Sequence, residues 1–135
     1  MPETLTGRCL CGAVSFEIDR LSEGPVACHC RECQRQSGSA FWAAITAGRD
    51  AVRIAGERLG WVRLSQAAWR GFCRDCGGYL FWQPVQGDTL DIAIGAIDGI
   101  EGMRIEAHIF TAEARLPIPE DGGAPRFPHG RKGVD

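Results

Sequence analysis

Cysteine is the residue type with the clearest chemical potential in this chain, and its seven copies fall into three short groups. The groups are Cys9-Leu10-Cys11, Cys28-His29-Cys30-Arg31-Glu32-Cys33 and Cys73-Arg74-Asp75-Cys76. Thiols one or two residues apart on a turn can converge on one metal ion at the Zn–S distance of about 2.3 Å. The spacing therefore predicts metal binding, with zinc as the expected ion and an iron–sulfur cluster as the alternative.

Other uses of these thiols fit the sequence less well. An odd number of cysteines cannot form a complete set of disulfides, and cysteines separated by one residue rarely bridge without strain. Thiol–disulfide exchange is a weaker alternative, because no βαβ pattern of the thioredoxin type is visible. Residues 1–7 are acidic and polar and do not read as a secretory signal, so we expect a cytoplasmic protein whose thiols stay reduced.

The number of ligands predicts two metal sites of different kinds. Seven cysteines can fill one closed site with four sulfurs and leave three, and a zinc with three protein ligands keeps a fourth position for water or substrate. The central group lies within six residues, whereas the two outer pairs are separated by more than sixty. This spacing favours, without settling, a division into four and three. We expect a structural zinc on Cys9, Cys11, Cys73 and Cys76 and a second, open zinc on Cys28, Cys30 and Cys33.

A soft thiolate is a suitable fourth ligand for the open site, because it completes a tetrahedron of sulfur and loses its proton on metal binding. The expected partner is therefore a small-molecule thiol. With 135 residues, 44% hydrophobic content and a net charge of −2, the chain has no polybasic surface, and we expect no nucleic-acid or membrane partner. No apolar run reaches the roughly 18 residues that span a bilayer.

The elements that must position these cysteines are mostly strands. Residues 13–19 alternate polar and apolar side chains with Val14, Phe16 and Ile18 on one face, which is typical of a half-buried strand. Residues 31–37 are polar and end at Gly38, which predicts one or two helical turns. The expected fold is a mainly β, compact, zinc-stabilised sheet with short helical turns. Further strands are predicted over 41–46, 51–54, 61–64, 79–82, 90–94 and 105–110.

The composition changes near residue 116, where proline and glycine become frequent. We expect one zinc-binding domain over residues 1–116, followed by an extended tail over 117–135 that packs partly on the same domain. Phe127 is the only aromatic residue of that tail and is the expected anchor.

Three segments resemble a known family. They are Gly7-Arg8-Cys9-Leu10-Cys11-Gly12-Ala13-Val14-Ser15-Phe16, the central cysteine group followed by Gly38, and Phe72-Cys73-Arg74-Asp75-Cys76-Gly77. They are similar to the glutathione-dependent formaldehyde-activating enzyme family, which is shared with centromere protein V type domains. His108-Ile109-Phe110 and residues 121–127 also resemble the closing segments of that family.

The resemblance implies a β fold built around the two zinc sites described above. It also implies a carbon–sulfur lyase activity, in which S-hydroxymethylglutathione forms from formaldehyde and glutathione or breaks down to them. Glutathione is then a possible co-substrate. The alternative is a non-catalytic, zinc-stabilised binding module in which the open cysteines hold a peptide, a partner cysteine or no metal.

No residue is assigned as catalytic from the sequence. His29 is expected to hydrogen-bond a backbone carbonyl or a ligand sulfur, and His108 to be structural. Trp42 is the one tryptophan that we place near the open site. Three arginines are expected to offset the negative charge of the thiolates, with recognition of substrate carboxylates as the alternative. They are Arg31, Arg35 and Arg74.

Overall fold

The computed structural model describes residues 4–131 and shows a mainly β protein, which confirms the predicted fold class. Within those residues there are ten strands and one α-helix. The strands are β1 (Leu5–Arg8), β2 (Ser15–Ile18), β3 (Glu23–Cys28), β4 (Trp42–Gly48), β5 (Val52–Ala55), β6 (Leu59–Arg63), β7 (Ala68–Cys73), β8 (Tyr79–Pro84), β9 (Thr89–Ala93) and β10 (Ala107–Ile109). The helix is α1 (Arg31–Ser37), and short 3-10 turns occupy Arg49–Ala51, Ile94–Ala96 and Thr111–Glu113.

The chain divides into two compact units, each built from two segments. In the described part of the chain, the first unit comprises residues 4–23 and 45–102, and the second comprises residues 24–44 and 103–131. The division into a domain over 1–116 and a tail over 117–135 stays a prediction, and residues 132–135 of that tail lie outside the described part of the chain. The helical segments of residues 4–131 fall short of what spanning a bilayer requires.

The first unit contains a three-stranded antiparallel sheet in the order β1-β2-β5 and a second run of strands in the order β4-β9-β8-β7-β6. Phe16 of β2 lies opposite Ile54 of β5, as its apolar alternation predicts. Its ring meets the Phe81 ring edge to face at 5.4 Å, and Trp61 stacks on Phe81 at 6.0 Å. Because these rings are buried or half-buried, they form the centre of the apolar core of this unit.

The second unit contains β10 and β3 as a parallel pair, with Ala107 opposite Val26 and Ile109 opposite Cys28. The first residues of β4 lie next to β3 in the same strand order. Helix α1 begins after Cys30 and ends at Gly38, whose N–H donates to the Gln34 carbonyl at 2.8 Å and whose φ is 70°. Glycine adopts this left-handed conformation without steric cost, which explains why the helix ends where the sequence predicts.

Three strands were not expected from the sequence. β1 has only four residues and includes Gly7, and β3 includes Gly24 and Pro25, which are both uncommon in strands. β7 buries Arg70, so its pattern does not alternate between apolar and polar residues as a half-buried strand does. The strand predicted over 105–110 is shorter in the structure, since β10 spans only three residues.

Candidate metal centres

Four cysteines of the first unit form what we call the four-sulfur cluster. Their Sγ atoms all lie within 4.8 Å of one another, and they belong to Cys9, Cys11, Cys73 and Cys76. The Cys9–Cys11 and Cys11–Cys73 sulfur pairs are each 3.7 Å apart. Four sulfurs placed tetrahedrally at about 2.3 Å from one zinc are about 3.8 Å apart, whereas a disulfide requires about 2.05 Å. The spacing therefore fits one tetrahedral metal and no disulfide.

The first half of this cluster is a tight turn after β1. The Cys9 N–H donates to the Val14 carbonyl at 3.0 Å, and the Gly12 N–H donates to the Cys9 carbonyl at 3.1 Å. The Val14 N–H donates to Cys9 Sγ at 3.4 Å. Gly12 has a φ of 82°, which a residue with a Cβ adopts at a cost. The turn thus points both sulfurs to the same side of the backbone.

The second half is a similar turn between β7 and β8. The Cys73 N–H donates to the Gly78 carbonyl at 3.0 Å, and the Gly77 N–H donates to the Cys73 carbonyl at 2.8 Å. The Asp75 N–H donates to Cys73 Sγ at 3.4 Å. Gly77 again has a positive φ, 79°. Each half therefore has a glycine in the left-handed region directly after its second cysteine.

The surroundings of Cys11 and Cys76 shift the pKa values of these two thiols in opposite directions. The backbone N–H groups of Cys11 and Gly78 lower the pKa of Cys76 to about 6. The Ala13 backbone lowers the pKa of Cys11, but desolvation and the three neighbouring sulfurs together raise it to about 11. A metal ion bound to Cys11 would offset this raised pKa, because metal coordination favours the thiolate.

Three cysteines of the second unit form the three-sulfur cluster. The sulfurs of Cys28, Cys30 and Cys33 also lie within 4.8 Å of one another. Cys28 ends β3, Cys30 caps the N-terminus of α1, and Cys33 lies in the first turn of α1. The Cys33 N–H donates to Cys30 Sγ at 3.3 Å. Among residues 4–131 the grouping has three members, so its donor set fits a zinc that takes its fourth ligand from outside.

The charge of the three-sulfur cluster is concentrated on one sulfur. Hydrogen bonds from Cys28 and then Cys33 lower the pKa of Cys30 to about 2. The same contact with Cys30 raises the pKa of Cys28 to about 12, and the contacts of Cys33 with Cys28 and Cys30 raise the pKa of Cys33 as well. These directions favour a thiolate at Cys30 beside thiols at Cys28 and Cys33, so a metal ion bound by all three sulfurs would release protons.

The backbone that carries these three cysteines is held by polar side chains. Gln34 is buried, and its Nε2 donates to the His29 carbonyl at 2.6 Å and to the Glu113 carbonyl at 3.0 Å. The Arg31 N–H donates to Glu113 Oε1 at 2.8 Å. These contacts tie the start of α1 to the segment that follows β10. Neither Gln34 nor Glu113 was predicted from the sequence, because nothing in their local pattern marks them.

The arginines that the sequence singled out have different positions. Arg31 donates from its guanidinium to Gln34 Oε1, and Arg35 is exposed in the last turn of α1. Arg74 lies in the turn of the four-sulfur cluster, where its guanidinium donates to the Glu57 carbonyl at 2.8 Å. Trp42 is buried at the start of β4, in the second unit.

The two candidate histidines are in contact with each other. His29 Nε2 lies 2.9 Å from His108 Nδ1, and His108 Nε2 lies 2.5 Å from Asp121 Oδ2. The ring of His29 therefore meets another imidazole, whereas the sequence favoured a carbonyl or sulfur partner. Desolvation, followed by the charges of His108 and Arg126, lowers the pKa of His29. Asp121 was missed, because it lies in a segment without strand or helix periodicity.

Comparisons with known proteins agree with this architecture. Residues 4–113 match a family described as glutathione-dependent formaldehyde-activating enzyme. An uncharacterized lyase from Schizosaccharomyces pombe is 30% identical over 110 residues, which cover 81% of this chain and 79% of that protein. A crystal structure of a Rhodobacter sphaeroides protein is similar with a TM-score of 0.61 and 27% identity, covering 72% of this chain and 91% of the other. Both cysteine clusters lie within the matched residues.

Proposed function

Because this chain belongs to the glutathione-dependent formaldehyde-activating enzyme family, we propose that it is a zinc-dependent carbon–sulfur lyase for thiol adducts of aldehydes. The proposed substrate is the adduct of glutathione, or another small thiol, with formaldehyde or a related aldehyde. The three-sulfur cluster is the observation that carries the proposal, because its donor set leaves one tetrahedral position for a thiol. All seven cysteines are free, which suits the reducing cytoplasm where we place the protein.

The reaction makes or breaks one carbon–sulfur bond. In the forming direction, the thiolate sulfur attacks the carbonyl carbon, the π electrons of the carbonyl move to oxygen, and that oxygen takes up a proton. The reverse direction removes the hydroxyl proton and returns the thiolate and the aldehyde. A zinc ion held by the three sulfurs would act as a Lewis acid and would keep the substrate thiol ionised at neutral pH.

The contribution of the chain is to hold its ligands in place before substrate arrives. Hydrogen bonds from Cys28 and Cys33 lower the pKa of Cys30, whose side chain caps the start of α1. Gln34 and Glu113 fix the backbone on either side of it. Such pre-organisation reduces the conformational entropy that is lost when the reacting groups are brought together.

Substitution of one ligand in each cluster tests this proposal. Cys30→Ser removes an open-site ligand, and Cys76→Ser is the matched change in the four-sulfur cluster. We expect two zinc ions per wild-type chain by elemental analysis. We expect one zinc in Cys30→Ser, with loss of glutathione retention on a desalting column. Exchange of ¹³C-formaldehyde with its glutathione adduct, followed by NMR, should be faster than the spontaneous rate only with the wild-type chain.

Two results would contradict the proposal. Two zinc ions and retained glutathione, with exchange at the spontaneous rate, would leave a non-catalytic binding module. One zinc per wild-type chain, with no retained glutathione, would assign the metal to the four-sulfur cluster and remove the thiol site altogether.

A further inference from the structure

A buried line of polar side chains leads from the proline- and glycine-rich segment to the three-sulfur cluster. It consists of Asp121, His108 and His29, joined by contacts of 2.5 Å and 2.9 Å. Both imidazoles are 2% exposed, and the Asp121 side chain is 24% exposed. Buried imidazoles must have their ring nitrogens matched to partners, since an unmatched one is costly. The line therefore requires a definite arrangement of protons.

The carboxylate end determines that arrangement. The His108 N–H donates to the Asp121 carboxylate, which keeps the pKa of Asp121 below its usual value, so the carboxylate is an acceptor only. His108 must then carry its proton on Nε2. The other nitrogen of His108, Nδ1, faces His29 Nε2, so one of these two nitrogens carries the shared proton and the other accepts it. Asp121 therefore limits the proton arrangements that the two imidazoles can adopt.

In sequence, His29 lies between two cysteines of the three-sulfur cluster. Hydrogen bonds fix its backbone, and neighbouring rings pack against its side chain. Its backbone N–H donates to the Ile109 carbonyl at 3.0 Å, and its carbonyl accepts Gln34 Nε2 at 2.6 Å. Its ring packs on Phe41 with the ring centroids 5.0 Å apart. A displacement of the His29 backbone would therefore also move Cys28 and Cys30, because both are joined to it by peptide bonds.

The segment that carries Asp121 is itself attached to β10. The His108 N–H donates to the Pro125 carbonyl at 2.9 Å, and the Phe127 N–H donates to the His108 carbonyl at 2.8 Å. Phe110 has a φ of 56°, the single positive value at a non-glycine residue in the part of the chain described, and its N–H donates to the His129 carbonyl at 2.9 Å. This strained residue persists because the surrounding hydrogen bonds determine its conformation.

We propose that Asp121 and His108 are positioning residues that act through His29 to place Cys28 and Cys30 for metal binding. The inference rests on the proposed function in one respect, namely that the three-sulfur cluster binds a metal. Asp121 lies outside residues 4–113, so a residue beyond the matched region completes the site. Outer partners that orient a metal site typically change its affinity about 10- to 100-fold.

Metal affinity measured separately at the two clusters tests this role. Zinc competition against a chromophoric chelator, and cobalt(II) titration followed by the sulfur-to-cobalt charge-transfer bands, would be applied to the full chain. Asp121→Ala should weaken the three-sulfur cluster about 10- to 100-fold and leave the four-sulfur cluster unchanged. Asp121→Asn keeps an oxygen that can accept from His108 Nε2, so its loss should be smaller. Glu120→Gln removes a charge at the exposed neighbouring position and should change neither affinity.

Long-range ¹H–¹⁵N spectra show which ring nitrogens of the histidines carry protons, which metal affinity does not reveal. The wild-type chain should show His29 and His108 in one defined arrangement of ring protons, and Asp121→Ala should show a mixture of tautomers. If the tautomer changes while the affinity of the three-sulfur cluster stays within twofold of wild type, the line is structural and the inference is wrong. If wild type binds no metal at this cluster, the inference and the proposed function fail together. If Asp121→Asn weakened metal affinity equally at both clusters, the effect would be general and the inference would also be wrong.

Discussion

The cysteines of this protein differ from one another because their sulfurs have different hydrogen-bond partners. Cys9 and Cys73 are buried and accept backbone N–H groups, which suits permanent metal ligands. Cys30 caps α1, and hydrogen bonds from Cys28 and Cys33 lower its pKa. Burial and donor geometry, in addition to sequence spacing, therefore distinguish the sulfurs of the two clusters.

Asp91 in β9 provides a pH-dependent prediction at this scale. Thr46 Oγ1 donates to Asp91 Oδ1 at 2.7 Å, but burial, with a further contribution from Glu23, raises the Asp91 pKa from 3.8 to about 6. Between these two pH values the folded state holds a proton that the unfolded state has released. The free energy of unfolding should therefore fall as the pH rises through this window, and the loss persists above pH 6.

Asp91→Asn removes this titration and keeps an oxygen for Thr46. Its stability relative to wild type should increase between pH 4 and pH 7, by at most about 3 kcal/mol, since one pKa unit corresponds to about 1.4 kcal/mol. Urea denaturation of the zinc-loaded proteins at several pH values measures the difference. Asp88→Asn, at an exposed position in the turn before β9, is the control. A pH-independent difference for Asp91→Asn would show that the buried carboxylate does not titrate there.

At the scale of elements, two backbone turns of similar size make the four-sulfur cluster, one from Cys9 to Val14 and the other from Cys73 to Gly78. Each joins strand ends, and each places a glycine with positive φ after its second cysteine. The three-sulfur cluster uses a strand end and a helix start instead. Both turns close through backbone hydrogen bonds, and in the first the Arg8 guanidinium also donates to the Cys9 and Leu10 carbonyls. The start of the helix is held by the side chains of Gln34 and Glu113.

Gly77→Ala isolates the contribution of the turn backbone. An added Cβ would meet no atom within 4 Å, so the φ of 79° is the source of any destabilisation. We expect a loss of about 1 to 2 kcal/mol in the free energy of unfolding, because side chains disfavour the left-handed region. Gly95→Ala is the matched control, since its Cβ also meets open space and its φ lies outside that region. Equal effects of the two substitutions in urea denaturation would contradict this explanation.

At the scale of the whole molecule, the two clusters belong to different units and close loops of different length. The four-sulfur cluster joins residues 62 positions apart in the first unit. The three-sulfur cluster joins residues within one short stretch of the second. A metal ion bound by the four-sulfur cluster would therefore close a much longer loop, and we expect its binding free energy to contribute largely to folding.

Thermal unfolding of two buried cysteine variants checks this difference. Cys73 is fully buried in the four-sulfur cluster, and Cys33 is 6% exposed in the three-sulfur cluster, so their burial is matched. Cys73→Ser should lower the Tm by more than about 10 °C or prevent folding, and a strong chelator should act on wild type in the same way. Cys33→Ser should lower it by only a few degrees. A larger effect of Cys33→Ser would mean that the three-sulfur cluster is the main structural site.

The sequence by itself determined the local features of this protein. Cysteine spacing, the alternation around Phe16 and the polar stretch that ends at Gly38 all depend on near neighbours, and they predicted the metal chemistry, the β class and α1. Only the tertiary structure decided which sulfurs approach one another and that Asp121, His108 and His29 form one line. Such contacts depend on where the chain folds back, and no periodicity encodes the partner of a polar side chain far away in sequence. β3 and β7 were missed because their pairing within a sheet outweighs the local preferences of Pro25 and Arg70.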